Sequence, residues 1–282
     1  MNFSKTHLSI CVRGQLKTFE RPQVMGILNV TPDSFFDGGR YRRVEEALQR
    51  AAHLLKEGAD WIDLGGYSSR PGALDITPEE EKQRVLPVLE ALKKEYGSRV
   101  CVSVDTFRVE VARAALEAGA DMINDISGGN EAMWELVAQH RVPYVMMHMR
   151  GTPQTMQQMT DYPEGVTLEV LRFFSERMPR CRACGVHDII VDPGFGFAKT
   201  LEQNYELLRN LSCFRQLSAP ILVGVSRKSM IYKALGITPA EALNGTTALN
   251  SWALCAGASI LRVHDVKEAK EIVTLFDYLK LS

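Results

Sequence analysis

Short apolar runs, each closing on a polar residue, alternate along the chain with stretches of helical periodicity. Four of the runs follow variants of one phrase, a glycine and then a short polar lead-in. It is clearest in Gly58-Ala59-Asp60-Trp61-Ile62-Asp63 and Gly119-Ala120-Asp121-Met122-Ile123-Asn124-Asp125. It returns more loosely in Gly185-Val186-His187-Asp188-Ile189-Ile190-Val191-Asp192 and Gly257-Ala258-Ser259-Ile260-Leu261-Arg262. Glycine accepts the left-handed backbone that ends a helix, so each copy marks a helix-to-strand junction. Further strand-like runs lie at 24–28, 100–104, 142–147 and 221–225, which makes eight in all. Between them Val44, Ala47, Leu48, Ala51, Leu54 and Leu55 recur at helical steps, as do Val111, Ala114, Ala115 and Ala118.

Strands alternating with helices predict a parallel sheet with helices on its faces. Eight such units predict an α/β fold of the (β/α)8 TIM barrel type, with an open doubly wound sheet as the alternative. Residues 9–19, with Arg13-Gly14-Gln15 as the turn, predict an N-terminal β-hairpin within residues 1–20. No linker, low-complexity segment or charge block divides the chain, so residues 1–282 read as a single domain. A barrel normally takes about 250 residues, which suits this length.

Composition narrows the function. The apolar fraction of 45% and charged fraction of 24% are those of a globular chain. A net charge of −1 offers no global field for nucleic acid or an anionic membrane, so neither is expected as a partner. No apolar run approaches the roughly 20 residues of a membrane-spanning helix, and the first 19 residues do not read as a secretory signal. Six scattered cysteines, including Cys181-x-x-Cys184 at a helix end, lack the spacing of a disulfide scaffold or zinc set. A reducing, cytoplasmic location is the expectation.

In β/α barrels the reaction site lies at the C-terminal rim of the strands. The residues read as closing the eight strands are Asn29, Asp63, Asp105, Asn124, His148, Asp192, Ser226 and His264, all hydrogen-bonding types. Strand alternation puts Arg262 and His264 on one side, and Ser226 with Lys228 if strand geometry persists. Barrel phosphate sites commonly follow the last two strands, so a phosphorylated substrate is expected. Two loops, 29–39 and 65–72, are candidate lids, and Phe195 or Phe197 in Asp192-Pro193-Gly194-Phe195-Gly196-Phe197 could stack on a flat ring.

Taken together, these phrases resemble those of the dihydropteroate synthase family of folate biosynthesis. The matching stretches are collinear from 24 to 265. They are Met25-Gly26-Ile27-Leu28-Asn29-Val30-Thr31-Pro32-Asp33-Ser34-Phe35, Ser69-Arg70-Pro71-Gly72, Ser103-Val104-Asp105-Thr106 and Ile123-Asn124-Asp125-Ile126. They continue with Met146-Met147-His148-Met149, the Asp192 phrase, Ser226-Arg227-Lys228-Ser229 and Arg262-Val263-His264-Asp265. The first of these and the Ser-Arg-Lys-Ser phrase are the most specific. The resemblance implies a transferase that condenses a (7,8-dihydropterin-6-yl)methyl diphosphate with 4-aminobenzoate, with Mg²⁺ on the leaving diphosphate.

Carried over residue by residue, it implies that Asp105, Asn124, Asp192 and Lys228 read the pterin edge, with Met147 against the ring face. Asn29 resembles the metal ligand, and Arg262 and His264 the diphosphate binders. Ser69 and Arg70 resemble loop residues that contact diphosphate and help to hold aminobenzoate, and Ser226 lies near that substrate's carboxylate. Lys228, Arg262 and His264 are the residues expected to bear on turnover. The family also implies a homodimer; Leu249 and Trp252 are apolar residues that serve either an interface or barrel packing. Two departures stand out. The family's Glu-Ser-Thr-Arg-Pro-Gly is here Tyr67-Ser68-Ser69-Arg70-Pro71-Gly72, so Tyr67 replaces an acid and Ser69 a threonine. The rival readings are a pterin-binding methyltransferase barrel and a catalytically silent pterin-binding paralogue.

Overall fold

The computed structural model describes residues 8–31, 40–69 and 74–280, with the backbone alone at 40–43 and 280. Eight parallel strands follow one another around a barrel: β3 (Gln23–Asn29), β4 (Trp61–Gly65), β5 (Val102–Asp105), β6 (Met122–Asp125), β7 (Tyr144–Met147), β8 (Ile189–Asp192), β9 (Leu222–Val223) and β10 (Ile260–Val263). Strand β10 pairs with both β3 and β9. The ring closes through a parallel bridge between Val191 and Ile221, beside a 2.9 Å bond from Val191 N–H to Pro220 O. The open-sheet alternative is thereby excluded. The Gly58, Gly119, Gly185 and Gly257 phrases do mark helix ends: all four glycines have φ between 93° and 107°.

The helices that cover the barrel carry their own start signals. Helix α2 (Pro78–Tyr96) begins with Thr77 accepting from Glu80 N–H at 3.2 Å, Pro78 in the first turn and three glutamates at its positive end. Helix α6 (Leu201–Arg209) begins with a capping box between Thr200 and Gln203. Both start just after strand-end loops, so their caps help to fix loops that form the rim.

A hairpin, β1 (Ser9–Val12) and β2 (Gln15–Thr18), precedes the barrel. Its two-residue turn, Arg13 at φ 52° and Gly14 at φ 74°, has the doubly left-handed backbone of the tight turns that match strand twist. Ile10, Val12 and Phe19 pack on Met25, Trp61, Met122, Val145, Ile190, Leu222 and Ile260, the apolar residues at the N-terminal ends of the strands. Arg13 fastens the hairpin through a two-pronged ion pair with Asp121, at 2.6 and 2.7 Å. One end of the barrel is therefore plugged with apolar side chains, and the polar residues collect at the other.

Candidate active site

The polar mouth is built on register. Asn29, Gly65, Asp105 and Asn124 are successive lateral neighbours on β3, β4, β5 and β6. Gly65 contributes no side chain to this row. A Cβ there would lie 3.3 Å from Asn29 Oδ1 and 3.6 Å from Asp105 Cβ, so glycine keeps a gap open between the two. Asp192 ends β8 beside Met147 of β7 and is held by a 2.8 Å bond from Gly194 N–H to its Oδ1.

Asp63 was read from the sequence as the end of a strand, but β4 runs two residues further, to Gly65. Its carboxylate is fully buried and serves as a hub. Oδ2 accepts from Arg262 Nε at 2.6 Å and from Asn124 Nδ2 at 3.1 Å. Arg262 Nη2 also donates to Asp105 Oδ2 at 2.8 Å. Arg262 thus stands between two carboxylates, where it supplies the counter-charge without which burying those acids would be costly. Asp63 Oδ1, Ser103 Oγ and Asn124 Oδ1 remain buried acceptors with no protein partner among the described residues.

These contacts set the charges. Burial pushes the Asp105 carboxyl up to about 7; Arg262 opposes the rise and Asp63 adds to it. Burial also raises Asp192, against the pull of Lys228. The Lys228 ammonium is lowered to about 8, mainly by burial, with Asp192 working the other way. Burial alone would lower Arg262, but Asp63 and Asp105 more than reverse that, so it stays charged.

Lys228 Nζ donates to Phe195 O at 2.5 Å and lies 4.6 Å from the centre of the Phe197 ring. Phe195 itself is fully buried in the main core, so of the two aromatics only Phe197 is partly open at the mouth. Ser226 Oγ and His264 Nδ1 are 3.1 Å apart, and Ser226 Oγ accepts from His264 N–H at 3.1 Å. Strand alternation does not relate Ser226 to Lys228, since β9 stops at Val223 and Arg227 has φ 55°. That reversal turns Arg227 outward onto Asp265, at 2.8 and 2.9 Å, and sends Lys228 to the loop after β8.

Met147 lies in an apolar wall with Ile126, Met149, Met156 and Ala198, against which Phe107 and Phe197 pack. His148, although at a strand end, is turned into the protein, edge-on to Phe173 at 4.9 Å. Burial and nearby Lys199 hold it well below the usual histidine range, hence neutral.

Lys199 was missed in the sequence. It is buried and lowered to about 7 by desolvation, partly offset by Asp192. Its Nζ meets His148 Nδ1 at 3.1 Å and donates to Gly194 O at 2.9 Å and Phe197 O at 3.0 Å, which fastens the Asp192 loop. The signal for it in the sequence is a lysine one alanine beyond the glycine and aromatic run Gly194-Phe195-Gly196-Phe197. Ser69 is partly exposed in the loop after β4. Arg70 and most of the candidate lid at 29–39 lie outside the described residues.

This arrangement can accept several N–H donors of a flat heterocycle, face its ring with thioether and aromatic groups, and meet an anion near Ser226 and His264. Known proteins match the chain closely. The chain matches the pterin binding enzyme family over residues 25–264. It is 47% identical to the dihydropteroate synthase of Synechocystis over 92% of this chain and 91% of that protein. It superposes on Xanthomonas albilineans dihydropteroate synthase with 4-aminobenzoic acid at a TM-score of 0.90, 40% identity and 98% and 99% coverage of the two chains. On the same enzyme in complex with 7,8-dihydropteroate the TM-score is 0.84, at 36% identity and 97% and 99% coverage. With a family match across the whole barrel and relatives of this similarity over nearly their full length, the chain belongs to the pterin-binding enzymes and, within them, to the dihydropteroate synthases.

Proposed function

We infer that the protein joins the methylene carbon of a (7,8-dihydropterin-6-yl)methyl diphosphate to the amino nitrogen of 4-aminobenzoate, releasing diphosphate and 7,8-dihydropteroate. One observation carries the assignment of roles: a row of Asn29, Asp105 and Asn124 stands in register around a buried Arg262–Asp63 pair, with Asp192 ending another strand. Asp192 is assigned to the ring's amidine-like N–H groups, because a carboxylate accepts two parallel bonds. Asn124 Oδ1, buried and without a protein partner among the described residues, is assigned to a further ring donor, with Asp105 beside it. Lys228 donates to ring acceptors, and Met147 and Phe197 bound the ring's faces.

Bond formation needs no nucleophilic side chain. The aryl amine is already neutral at pH 7, so it attacks the methylene carbon as the carbon–oxygen bond to diphosphate breaks, and its extra proton leaves afterwards. The protein's part is to align the reactants and to meet charge growing on the leaving oxygen. His264 and Arg262 are assigned to that charge. Arg262 does so from a position already fixed by Asp63, and Ser226 orients the His264 ring. Ser69, with Arg70, is assigned to the loop side of the diphosphate and to aminobenzoate.

A Mg²⁺ ion fits the donor set. Among the described residues no cluster of three or more His, Cys, Asp or Glu could hold a metal. Asn29, however, places a neutral amide oxygen beside the Gly65 gap. Mg²⁺ is commonly held by one or two protein oxygens together with substrate phosphates and water. When bound, it would neutralise the leaving diphosphate.

A homodimer is favoured by apolar exposure on α8 (Leu243–Ala256) and α9 (Val266–Lys280). Leu249 packs against the core, but Trp252, Leu275 and Tyr278 are exposed by 57%, 67% and 72%. A single barrel domain in the cytoplasm is the setting we assign. It is consistent with six free cysteines and with no described helix long and apolar enough to cross a membrane. The test is an assay of purified protein with Mg²⁺, the pterin diphosphate and 4-aminobenzoate. Dihydropteroate and diphosphate should appear in equal amounts, and release of neither would refute the reading.

A further inference from the structure

Tyr67 stands where the family pattern carries an acid, and the structure gives it four partners. Its ring meets Phe107 edge to face at 5.1 Å and 89°. The Arg108 guanidinium lies 5.0 Å from its ring centre. Its hydroxyl accepts from Gln154 Nε2 at 2.7 Å and donates to the Asp75 side chain. Gln154 belongs to the loop after β7, and β5 and β6 separate β7 from β4 in the sheet. The Tyr67–Gln154 bond therefore spans part of the mouth rather than joining neighbouring loops.

Arg108 ties this contact to the rest of the loop. It donates to Glu81 Oε2 at 2.7 Å, to Ile76 O at 2.6 Å and to Asp75 Oδ1 at 3.0 Å. One guanidinium thus holds the loop after β4 at Tyr67 and again at Asp75 and Ile76, and anchors both to a buried carboxylate of α2. The backbone just before Tyr67 is fixed too. A Cβ at Gly66 would fall 2.6 Å from Val85 Cγ2 and 3.2 Å from Glu81 O, and Arg84 Nη1 donates to Gly66 O at 3.1 Å. A carboxylate at 67 would add a third acid to a cation already serving Glu81 and Asp75. A phenol adds no charge, stacks under the guanidinium and reaches Gln154.

We propose that Tyr67, Arg108 and Gln154 form a clasp that sets the position of residues 66–69, making Tyr67 a positioning residue for the aminobenzoate side of the site through Ser69. The link to the pterin side runs through Phe107, which packs on the apolar wall containing Met147. The inference rests on the reaction proposed above for its kinetic consequence but not for the clasp itself.

The test uses Tyr67→Phe, Gln154→Leu and the double variant. Arg108→Ala is avoided because it would strand the buried Glu81. Two readouts are taken: amide hydrogen exchange of residues 61–69 in the substrate-free protein, and steady-state kinetics in both substrates. Gln154→Leu, which removes one hydrogen bond, should speed exchange by about 2- to 10-fold, and Tyr67→Phe, which also frees Asp75, by at least as much. The double variant should go no further than Tyr67→Phe, since that change already removes the bond to Gln154. KM for 4-aminobenzoate should rise by a similar factor while kcat stays near wild type. Unchanged exchange, or effects that multiply in the double variant, would overturn the clasp. Faster exchange with KM unmoved would overturn the positioning role. A wild-type protein that makes no dihydropteroate would sink the reaction instead, and the exchange measurement would still decide the clasp.

Discussion

Replacing Arg262 by alanine probes both the stability and the chemistry of the mouth. In the folded protein Arg262 bonds to Asp63 at 2.6 Å and to Asp105 at 2.8 Å, with Asp63 fully buried and Asp105 22% exposed. Removing one partner of a buried ion pair costs about 3–5 kcal/mol, because the remaining charge is left uncompensated. Asp105 retains some access to water, so the lower end, about 3 kcal/mol, applies here. In a chain of this size 1 kcal/mol moves Tm by about 2 °C, which gives a fall of about 6 °C for Arg262→Ala.

The loss should depend on pH. The Asp105 carboxyl sits at about 7 in the folded protein, above the ordinary 3.8. Between these values the native state holds a proton that the unfolded chain has released, so stability falls as pH rises through that window. Arg262 restrains the shift; without it the carboxyl moves higher and the window extends upward. The gap in Tm between wild type and variant should therefore widen from about pH 6 to about pH 8. Thermal unfolding across pH, with calorimetric titration of a pterin lacking diphosphate, measures both effects. Ring affinity should fall as well, since Asp63 also positions Asn124. Asp63→Asn in the same background should cost less than it does alone. A Tm within about 1 °C of wild type at every pH, with ring binding intact, would refute the ion-pair account.

Three further outcomes are expected. His264→Ala should lower kcat by about 10²-fold, the usual scale for a group meeting transition-state charge, while ring affinity by calorimetry stays unchanged; equal losses in both would reassign His264 to ring binding. Because Lys228 sits at about 8 in the free protein, kcat/KM for the pterin diphosphate should decline above that pH as the ammonium is lost. In Lys228→Arg, which keeps its proton, the declining limb should move upward, and a limb that stays in place assigns it to another group. Gly65→Ala should close the gap beside Asn29 and raise the Mg²⁺ concentration needed for half-maximal activity, with Tm nearly unchanged; an unaltered Mg²⁺ profile would remove Asn29 from the metal's surroundings.

The features legible in the sequence are those with local causes. Four of the eight strands could be read because glycine marks where a helix ends, and the four phrase glycines all adopt that left-handed backbone; the other four were readable as short apolar runs. The hairpin was legible from Arg13-Gly14 for the same reason. Asp63 was readable as a polar residue in a strand, but not as a hub. Its partners Arg262 and Asn124 lie 199 and 61 residues away, and only closure of the barrel brings them together. Alternation failed at Ser226 and Lys228, where the left-handed backbone of Arg227 reverses the chain. It could not choose between Phe195 and Phe197 either, because Gly194 before them and Gly196 between them, at φ 74° and 82°, break the strand pattern.

The mixing of acids with cations bears directly on how such a mouth can work. A cluster of carboxylates alone, buried to this degree, would take up protons and lose the capacity to accept from ring N–H groups. A separate cluster of cations would likewise shed protons. Arg262 between Asp63 and Asp105, and Lys228 near Asp192, keep each sign in the neighbourhood of the other before any substrate arrives. The pterin edge then meets acceptors already oriented by fixed hydrogen bonds, so little reorganisation is needed within the protein. Arg262 is held from the acid side, which lets its charge act on the leaving diphosphate without the side chain having to be ordered at that moment. The buried ion pair is thus better understood as preorganisation of the site than as a source of stability, since burying such a pair yields little net stabilisation by itself.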